Sequence, residues 1–150
     1  EIESFNLRVL AGYIQERSDT PLGGTSTNTI GQYDSPDLTA VATASYGFGP
    51  YSIQLQQRYI TDTMLNYRWV EGRDVDDNSV SSGNYTNMRL AYSGETNSGA
   101  TYRVSLNVNN LFDRPPPIVA SYSTRNDSQT IPQGFDEFGR LYQLSLDYNF

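Results

Sequence analysis

The chain has 150 residues, a formal net charge of −7 at pH 7, and neither cysteine nor histidine. Without cysteine it can form no disulfide framework or thiolate metal site, and without histidine it lacks the commonest general base and metal ligand. The negative charge argues against nucleic acid as a partner, because phosphate binding requires clustered Lys and Arg.

The hydropathy of the chain excludes a helical membrane protein but leaves a transmembrane β-barrel open. The mean hydropathy is −0.57, and no run approaches the roughly 20 apolar residues of a membrane-spanning helix. Strands of a transmembrane barrel are apolar only at alternate residues, so their mean hydropathy resembles that of a soluble domain. Twelve Tyr, six Phe and one Trp give the chain an unusually aromatic composition.

Six stretches alternate apolar and polar residues with the period of two that is typical of β-strands. They are residues 5–13, 38–46, 51–59, 87–93, 102–109 and 142–150. No stretch has the pattern of an amphipathic helix. The sequence therefore predicts an all-β chain, an antiparallel up-and-down meander of six strands.

The connections between these strands alternate in length. Residues 47–50 and 96–99 form tight turns, whereas the connections at 18–36, 70–84 and 113–138 are much longer than hairpin loops. Every second connection of a meander emerges on the same side, so all the long loops are expected at one end. This asymmetry is typical of outer-membrane barrels, although alternation alone leaves open which face of the sheet is inside.

The aromatic residues are predicted to form two belts at the membrane interfaces. The belt at the short-turn end would contain Tyr46, Tyr51, Tyr92, Tyr102 and Tyr148. The belt at the long-loop end would contain Tyr59, Tyr67, Trp69, Tyr85, Phe112 and Tyr142.

Two motifs near the end of the chain resemble those of a known family. In residues 104–117 (VSLNVNNLFDRPPP) an alternating strand runs into Asn110, Leu111, Phe112 and Asp113, and in residues 139–150 (GRLYQLSLDYNF) the pair Gly139 and Arg140 precedes a Tyr and a final Phe. These segments resemble the last two strands of TonB-dependent outer-membrane receptors. Residues 48–59 resemble an upstream hairpin of the family less specifically.

The resemblance implies a fold and a function. Residues 1–150 would be the C-terminal segment of a 22-stranded transmembrane β-barrel, cut from a longer protein, with the plug domain and the earlier strands absent. The implied function is TonB-dependent uptake of a scarce small-molecule solute, a ferric siderophore or an oligosaccharide, without catalysis and without a cofactor. The implied location is the outer membrane of a Gram-negative bacterium, with membrane lipid and, through the missing plug, the TonB complex as partners.

The closing strand also has an implied role in assembly. In outer-membrane barrels a last strand that ends in an aromatic residue is similar to the signal read by the barrel assembly machinery. An unpaired terminal strand can be recognised by strand addition, with alternate side chains supplying specificity. The residues that would carry this signal are Tyr142, Leu144, Leu146, Tyr148 and Phe150.

Solute contact in a receptor is expected from the long loops. Stacking and charge are offered there by Tyr67, Trp69, Arg73, Tyr122 and Arg125. Exposed aromatic residues suit both sugar faces and aromatic iron chelators, so they do not select a solute. Three arginines on the polar face are expected to pair with plug carboxylates or to line a path for an anionic solute: Arg58, Arg89 and Arg103.

Two acidic segments are candidate chemical sites. Residues 74–78 follow the D-x-D-x-N start of a calcium loop, but Ser79 and Tyr85 occupy the positions that require Gly and Glu. A solvated acidic loop is therefore favoured over a calcium site. Asp136 and Glu137 are adjacent, so on an extended segment they point apart and do not form a catalytic carboxylate pair.

Two other interpretations of the sequence compete with the interpretation as a receptor. A truncated small porin or adhesin-type barrel predicts the same strands but no plug. A soluble β-sandwich with a Tyr-rich face predicts solubility without detergent and no aromatic belts. The final Phe150 and the segregation of the long loops count against the sandwich.

Overall fold

The computed structural model describes residues 3–20, 22–119 and 134–150. Over these ranges the regular structure consists of ten β-strands. Within the same ranges, no helix long and apolar enough to cross a membrane is present.

Six long strands form one antiparallel sheet. They are β1 (Glu3–Tyr13), β4 (Leu38–Phe48), β5 (Tyr51–Ile60), β8 (Gly83–Glu95), β9 (Thr101–Asn109) and β10 (Leu141–Asn149). Their order in the sheet is the order in the chain, and each pairs antiparallel with its neighbours. The predicted all-β meander of six strands is confirmed.

Four short strands lie inside the long connections and were not predicted. The strand β2 (Ser18–Asp19) pairs with β3 (Thr27–Asn28), and β6 (Thr63–Met64) pairs with β7 (Ser79–Val80). Two-residue ladders are too short to show an alternating pattern. The strand β8 also begins four residues before the predicted start at 87, because Gly83 and Tyr85 continue its pairing with Ile60 and Arg58.

The two turns at the short-turn end are tight. Phe48 and Tyr51 pair directly across a two-residue turn, in which Gly49 takes a φ of 51° that favours glycine. In the second turn the Thr96 N–H donates to the Ala100 carbonyl at 2.8 Å. The three long connections are loop 1 (residues 14–37), loop 2 (61–82) and loop 3 (110–140), and all three leave the opposite end of the sheet, as predicted.

Pairing register joins the alternating patterns of the strands into rows. One apolar row crosses all six strands and consists of Phe5, Tyr46, Ile53, Leu90, Leu106 and Leu144. A polar row on the other face consists of Asn6, Ser45, Gln54, Arg89, Asn107 and Gln143. One face of the sheet is therefore mainly apolar and the other mainly polar.

The hydrophobic core lies at the long-loop end, on the polar side of the sheet. Its buried residues are Val80 from loop 2, Tyr85 from β8 and Phe135 from loop 3. Tyr85 shares the polar face with Asn87 and Arg58, since it pairs with Arg58. Around it pack half-buried hydrophobic residues of the three loops: Tyr33, Leu65 and Val119. The long loops thus cover part of the polar face.

Phe135 fixes loop 3 to the polar face. Its side chain is 7% exposed, and a Cβ built on Gly83 would lie 2.9 Å from its Cε1 atom, so only glycine admits the ring there without displacement.

We expect Phe135→Ala to weaken the docking of loop 3 on the sheet by about 3 kcal/mol and to accelerate amide hydrogen exchange at residues 134–138. The matched variant Phe138→Ala removes a ring that is 90% exposed and should leave exchange unchanged. Equal effects of the two variants would contradict this docking.

Candidate functional site

The apolar face of the sheet is largely exposed. Phe5 is 69%, Leu144 is 74% and Leu146 is 67% exposed, and Tyr51 and Leu55 on the central strand β5 are also exposed. Soluble monomers rarely expose contiguous apolar patches larger than about 300–600 Å². An exposed apolar face of six strands is therefore unusual for a soluble monomer.

An aromatic cluster borders this face at the short-turn end. The rings of Tyr51 and Tyr92 lie 5.1 Å apart, those of Tyr92 and Tyr102 6.1 Å apart, and those of Tyr148 and Phe150 5.2 Å apart. Pairing register places Tyr46 in the adjacent apolar row. The structure therefore brings together on one face the residues predicted for the belt at this end.

The predicted belt at the long-loop end is only partly formed. Tyr59 and Tyr142 lie on the apolar face, but Tyr85 lies on the opposite face and is 3% exposed in the loop core. Tyr67 and Trp69 are half-buried in loop 2. The prediction for Tyr85 was wrong because it used position along the strand and ignored the alternation of faces.

The apolar face ends in a polar patch toward the long loops. Gln57 of β5 donates from its amide to Asn84 of β8 and accepts a hydrogen bond from the Thr86 hydroxyl. These residues stand in register on the two neighbouring strands. The apolar surface of the central strands is thus bounded by the aromatic cluster at one end and by amides and a hydroxyl at the other.

The polar face carries the three predicted arginines. The Arg58 guanidinium lies over the Tyr85 ring at 5.2 Å, and Arg103 donates to the Ser52 hydroxyl at 3.4 Å. Among the residues that the structure describes, none of Arg58, Arg89 and Arg103 forms an ion pair. Pairing with carboxylates from elsewhere stays a prediction.

The NLFD motif, residues 110–113, forms a hydrogen-bonded turn where β9 ends. Asn110 is 1% exposed and has a φ of 50°, a conformation that Asn tolerates better than most residues. Its side-chain amide donates to the Arg114 carbonyl at 2.8 Å and accepts from the Arg114 N–H at 2.9 Å. Its own N–H donates to the Asn87 side chain at 2.9 Å.

The second motif closes on the first. The Arg140 N–H donates to the Asp113 carboxylate at 2.8 Å, across 27 residues of sequence. Gly139 has a φ of 71°, and a Cβ there would lie 2.9 Å from the same carboxylate oxygen. The two ends of loop 3 are therefore held together by a neck, which consists of Asn110, Asp113, Gly139 and Arg140. Phe112 is exposed and Leu111 is half-buried. A hydrogen bond to the Tyr142 hydroxyl is the main cause that raises the pKa of Arg140.

The residues proposed as an assembly signal all lie on or next to β10. Tyr142, Leu144, Leu146, Tyr148 and Phe150 are exposed on the apolar face. The strand β10 pairs with β9 on one side, and within the described residues its other edge has no neighbour. The same holds for the outer edge of β1.

Within the acidic segment of loop 2, Asp74, Asp77 and Asn78 are hydrogen-bonded inside the loop. Asp74 pairs with Arg73 at 2.7 Å and accepts from the Val70 N–H at 2.9 Å, and these interactions lower the pKa of Asp74. Hydrogen bonds from Ser79 lower the pKa of Asp77. Asn78 is buried and donates to the carbonyls of Asn66 and Trp69.

The geometry of acidic groups gives no metal site in the described part of the chain. No group of three or more His, Cys, Asp or Glu residues there is placed to hold a metal ion. Asp136 accepts a hydrogen bond from the Phe138 N–H at 3.0 Å, next to Glu137.

Loops 1 and 2 are joined through their backbones. The Met64 N–H donates to the Gly31 carbonyl at 2.8 Å, and the Tyr33 N–H donates to the Met64 carbonyl at 3.0 Å. The Tyr67 N–H donates to the Gln32 side chain at 3.4 Å. Because of these bonds, the side chains of the two loops keep a fixed relation to each other.

A polar hollow of about 520 Å³ lies between these two loops. Its lining consists of Arg17, Ser18, Asp19, Thr27, Thr29, Gln32, Asp34, Tyr67 and Arg68. Of the residues predicted to contact solute, Tyr67 lies here and Arg73 instead pairs with Asp74. Trp69 lies elsewhere in loop 2, and Tyr122 and Arg125 lie outside the described residues.

Sequence reasoning missed the loop 1 side of this hollow. The only signal was the alternation of Arg17 with Asp19 and of Thr27 with Thr29, which is too short to be distinguished from chance. Comparison of the chain with protein-family models, curated protein sequences and solved structures gave no match.

Proposed function

We propose that this chain is a wall segment of a transmembrane β-barrel of the TonB-dependent receptor type, which takes up a scarce solute across the outer membrane of a Gram-negative bacterium. The observation that carries the proposal is the inverted arrangement of the sheet. The apolar face is exposed, and the loop core built around Phe135 packs on the polar face.

This arrangement is the opposite of the one expected in a soluble sandwich. A sandwich covers its apolar face with a second sheet and exposes its polar face to water. A membrane barrel turns its apolar face to lipid, and its polar face lines the interior, where loops can fold inward. Eight residue steps from Tyr142 to Phe150, at ~3.3 Å each and a tilt of ~40°, span about 20 Å of the bilayer.

The open edges of the sheet support a larger barrel. The backbone groups along the outer edges of β1 and β10 face no partner strand among the described residues. Unpaired backbone groups are not tolerated in the hydrocarbon core of a membrane. The proposal therefore includes further strands that pair with both edges, 22 in all as the family resemblance implies, in a complete protein that we term the parent receptor.

The proposed roles of the parts follow from their positions. The apolar face contacts lipid, the exposed residues of β10 are recognised by the barrel assembly machinery, and loops 1 and 2 contact the solute. The rigid neck formed by Asn110, Asp113, Gly139 and Arg140 sets how loop 3 leaves the wall. Energy for uptake comes from the TonB complex acting on the plug of the parent receptor, and the chain catalyses no reaction.

Uptake by the parent receptor tests this proposal. Host cells with and without a functional TonB complex would be given two labelled probes, a mixture of neutral oligosaccharides and a ferric siderophore. We expect the receptor to fractionate with outer membranes. We expect one of the two probes to accumulate in the TonB-competent cells and not in the cells without a functional TonB complex. Equal accumulation in both hosts would instead fit a porin, and a protein found free of membranes would fit the sandwich.

A further inference from the structure

The hollow between loops 1 and 2 has one wall made by the β2–β3 hairpin. Asp19 pairs with Thr27, and the Thr29 N–H donates to the Arg17 carbonyl at 2.8 Å. Residues two apart on a strand share a face, so this face of the hairpin presents one arginine, one aspartate and two threonine hydroxyls together.

The opposite wall comes from the turn of loop 1 and from loop 2. Gln32 and Asp34 lie in the turn that is bonded to Met64, and Tyr67 and Arg68 follow in loop 2. The Arg68 guanidinium lies 5.2 Å from the centre of the Tyr67 ring and donates to its hydroxyl at 2.6 Å. This contact orients both side chains at the edge of the hollow.

The hollow is balanced in charge, and some of its polar groups are bonded within the protein: Arg17 donates to the Asp34 carbonyl at 3.4 Å, and the Thr29 hydroxyl donates to the Arg17 carbonyl at 3.1 Å. Two arginines, Arg17 and Arg68, face two aspartates, Asp19 and Asp34. Neither aspartate carboxylate forms an ion pair or accepts a hydrogen bond from the described residues. Exposed carboxylates can accept hydrogen bonds from a ligand that carries many hydroxyl groups, and the neighbouring hydroxyl and guanidinium groups can donate hydrogen bonds to its oxygens.

The charge of the surroundings disfavours an anionic ligand. In the described parts of the three long loops, carboxylates outnumber arginines. A negatively charged ferric chelate would meet the two free carboxylates of the hollow and an acidic rim. A neutral ligand avoids this repulsion and still offers a hydrogen-bonding group to each carboxylate.

We propose that this hollow binds a neutral, hydroxyl-rich solute, an oligosaccharide, with Asp19 and Asp34 accepting hydrogen bonds from its hydroxyl groups and Arg17 donating to its oxygens. A volume of about 520 Å³ lies within the range of about 300–1,000 Å³ that is usual for small-ligand sites. The proposal rests on the uptake function above and names its solute class.

Binding by the purified parent receptor in detergent tests the assignment. The receptor would be applied to a glycan array that carries neutral and acidic oligosaccharides, and its affinity for the best neutral glycan and for a ferric tris-catecholate would be measured by titration. We expect binding to neutral glycans and a loss of affinity of about tenfold or more in the double variant Asp19→Asn, Asp34→Asn. Neither side chain supports the fold through a bond within the described residues, so the variant should assemble normally.

The matched control is Asp76→Asn in loop 2, which removes an exposed carboxylate that does not line the hollow and should change affinity less than twofold. Absence of binding to any neutral glycan, or tighter binding of the ferric chelate that survives the double substitution, would overturn the oligosaccharide assignment. Uptake of the chelate that still depends on TonB would leave the proposed function intact while this inference fails.

Discussion

Replacing Leu144 by arginine should lower the free energy of unfolding of the membrane-inserted parent receptor by about 2–4 kcal/mol. Leu144 is the last residue of the apolar row; along β10 it lies between Tyr142 and Tyr148, and it faces Leu106 in register on β9. An arginine on the lipid face near the bilayer midplane has about this cost, because its charge must be taken from water into hydrocarbon. Urea unfolding in phospholipid vesicles, followed by heat-sensitive migration on gels, measures the difference.

The neighbouring residue supplies the control for this substitution. Gln143 lies on the polar face of the same strand, opposite Asn107, so Gln143→Arg places the same charge on the side proposed to face the aqueous interior of the barrel. We expect it to change stability by less than about 0.5 kcal/mol. If Leu144→Arg were as mild as Gln143→Arg, the exposed leucine would be an ordinary surface residue and the apolar face would not contact lipid.

Replacing Asn110 by alanine should destabilise the neck of loop 3 by about 2–4 kcal/mol. The substitution removes the two hydrogen bonds that the buried Asn110 side chain makes to the Arg114 N–H and carbonyl. Alanine also tolerates the left-handed conformation at φ 50° less well than asparagine. Urea unfolding and hydrogen exchange at residues 111–114 would both report the loss.

Two further variants separate the causes of this effect. Asn109→Ala removes an exposed amide one residue earlier and should be nearly neutral. Asn110→Gly relieves the backbone strain but still loses both side-chain bonds, so it should recover only about 1 kcal/mol. A neutral Asn110→Ala would mean that the NLFD turn is held by other contacts.

The six-strand meander was predictable because each strand pattern is local. The alternation in residues 142–150 needs only neighbouring positions, and the tight turn at Gly49 is marked by its own residue types. Which face is covered could not be predicted, since apolar-inside and apolar-outside sheets have the same alternation. That distinction depends on Phe135 meeting Tyr85, two residues 50 positions apart in the chain.

The site was less predictable than the fold for a related reason. Tyr67 was expected to contact solute because exposed loop aromatics often do. Asp19 and Asp34, which line the same hollow, come from another loop, and backbone bonds at Gly31 and Met64 join the two loops. The NLFD and Gly139-Arg140 motifs were recognisable from the sequence. Their physical reason, a buried left-handed Asn and a carboxylate that accepts a distant N–H, is visible only in three dimensions.

The most direct test of the central claim is the accessibility of four consecutive residues of β10. The chain has no cysteine of its own, so single cysteines at positions 143, 144, 145 and 146 can carry a nitroxide label in the parent receptor in vesicles. Collision with oxygen, which concentrates in lipid, and with a water-soluble nickel chelate would be measured by power saturation. The account predicts high oxygen access at 144 and 146 and high nickel access at 143 and 145. Low access to both agents at 144 and 146, as under a second sheet, or the reverse alternation, would contradict it.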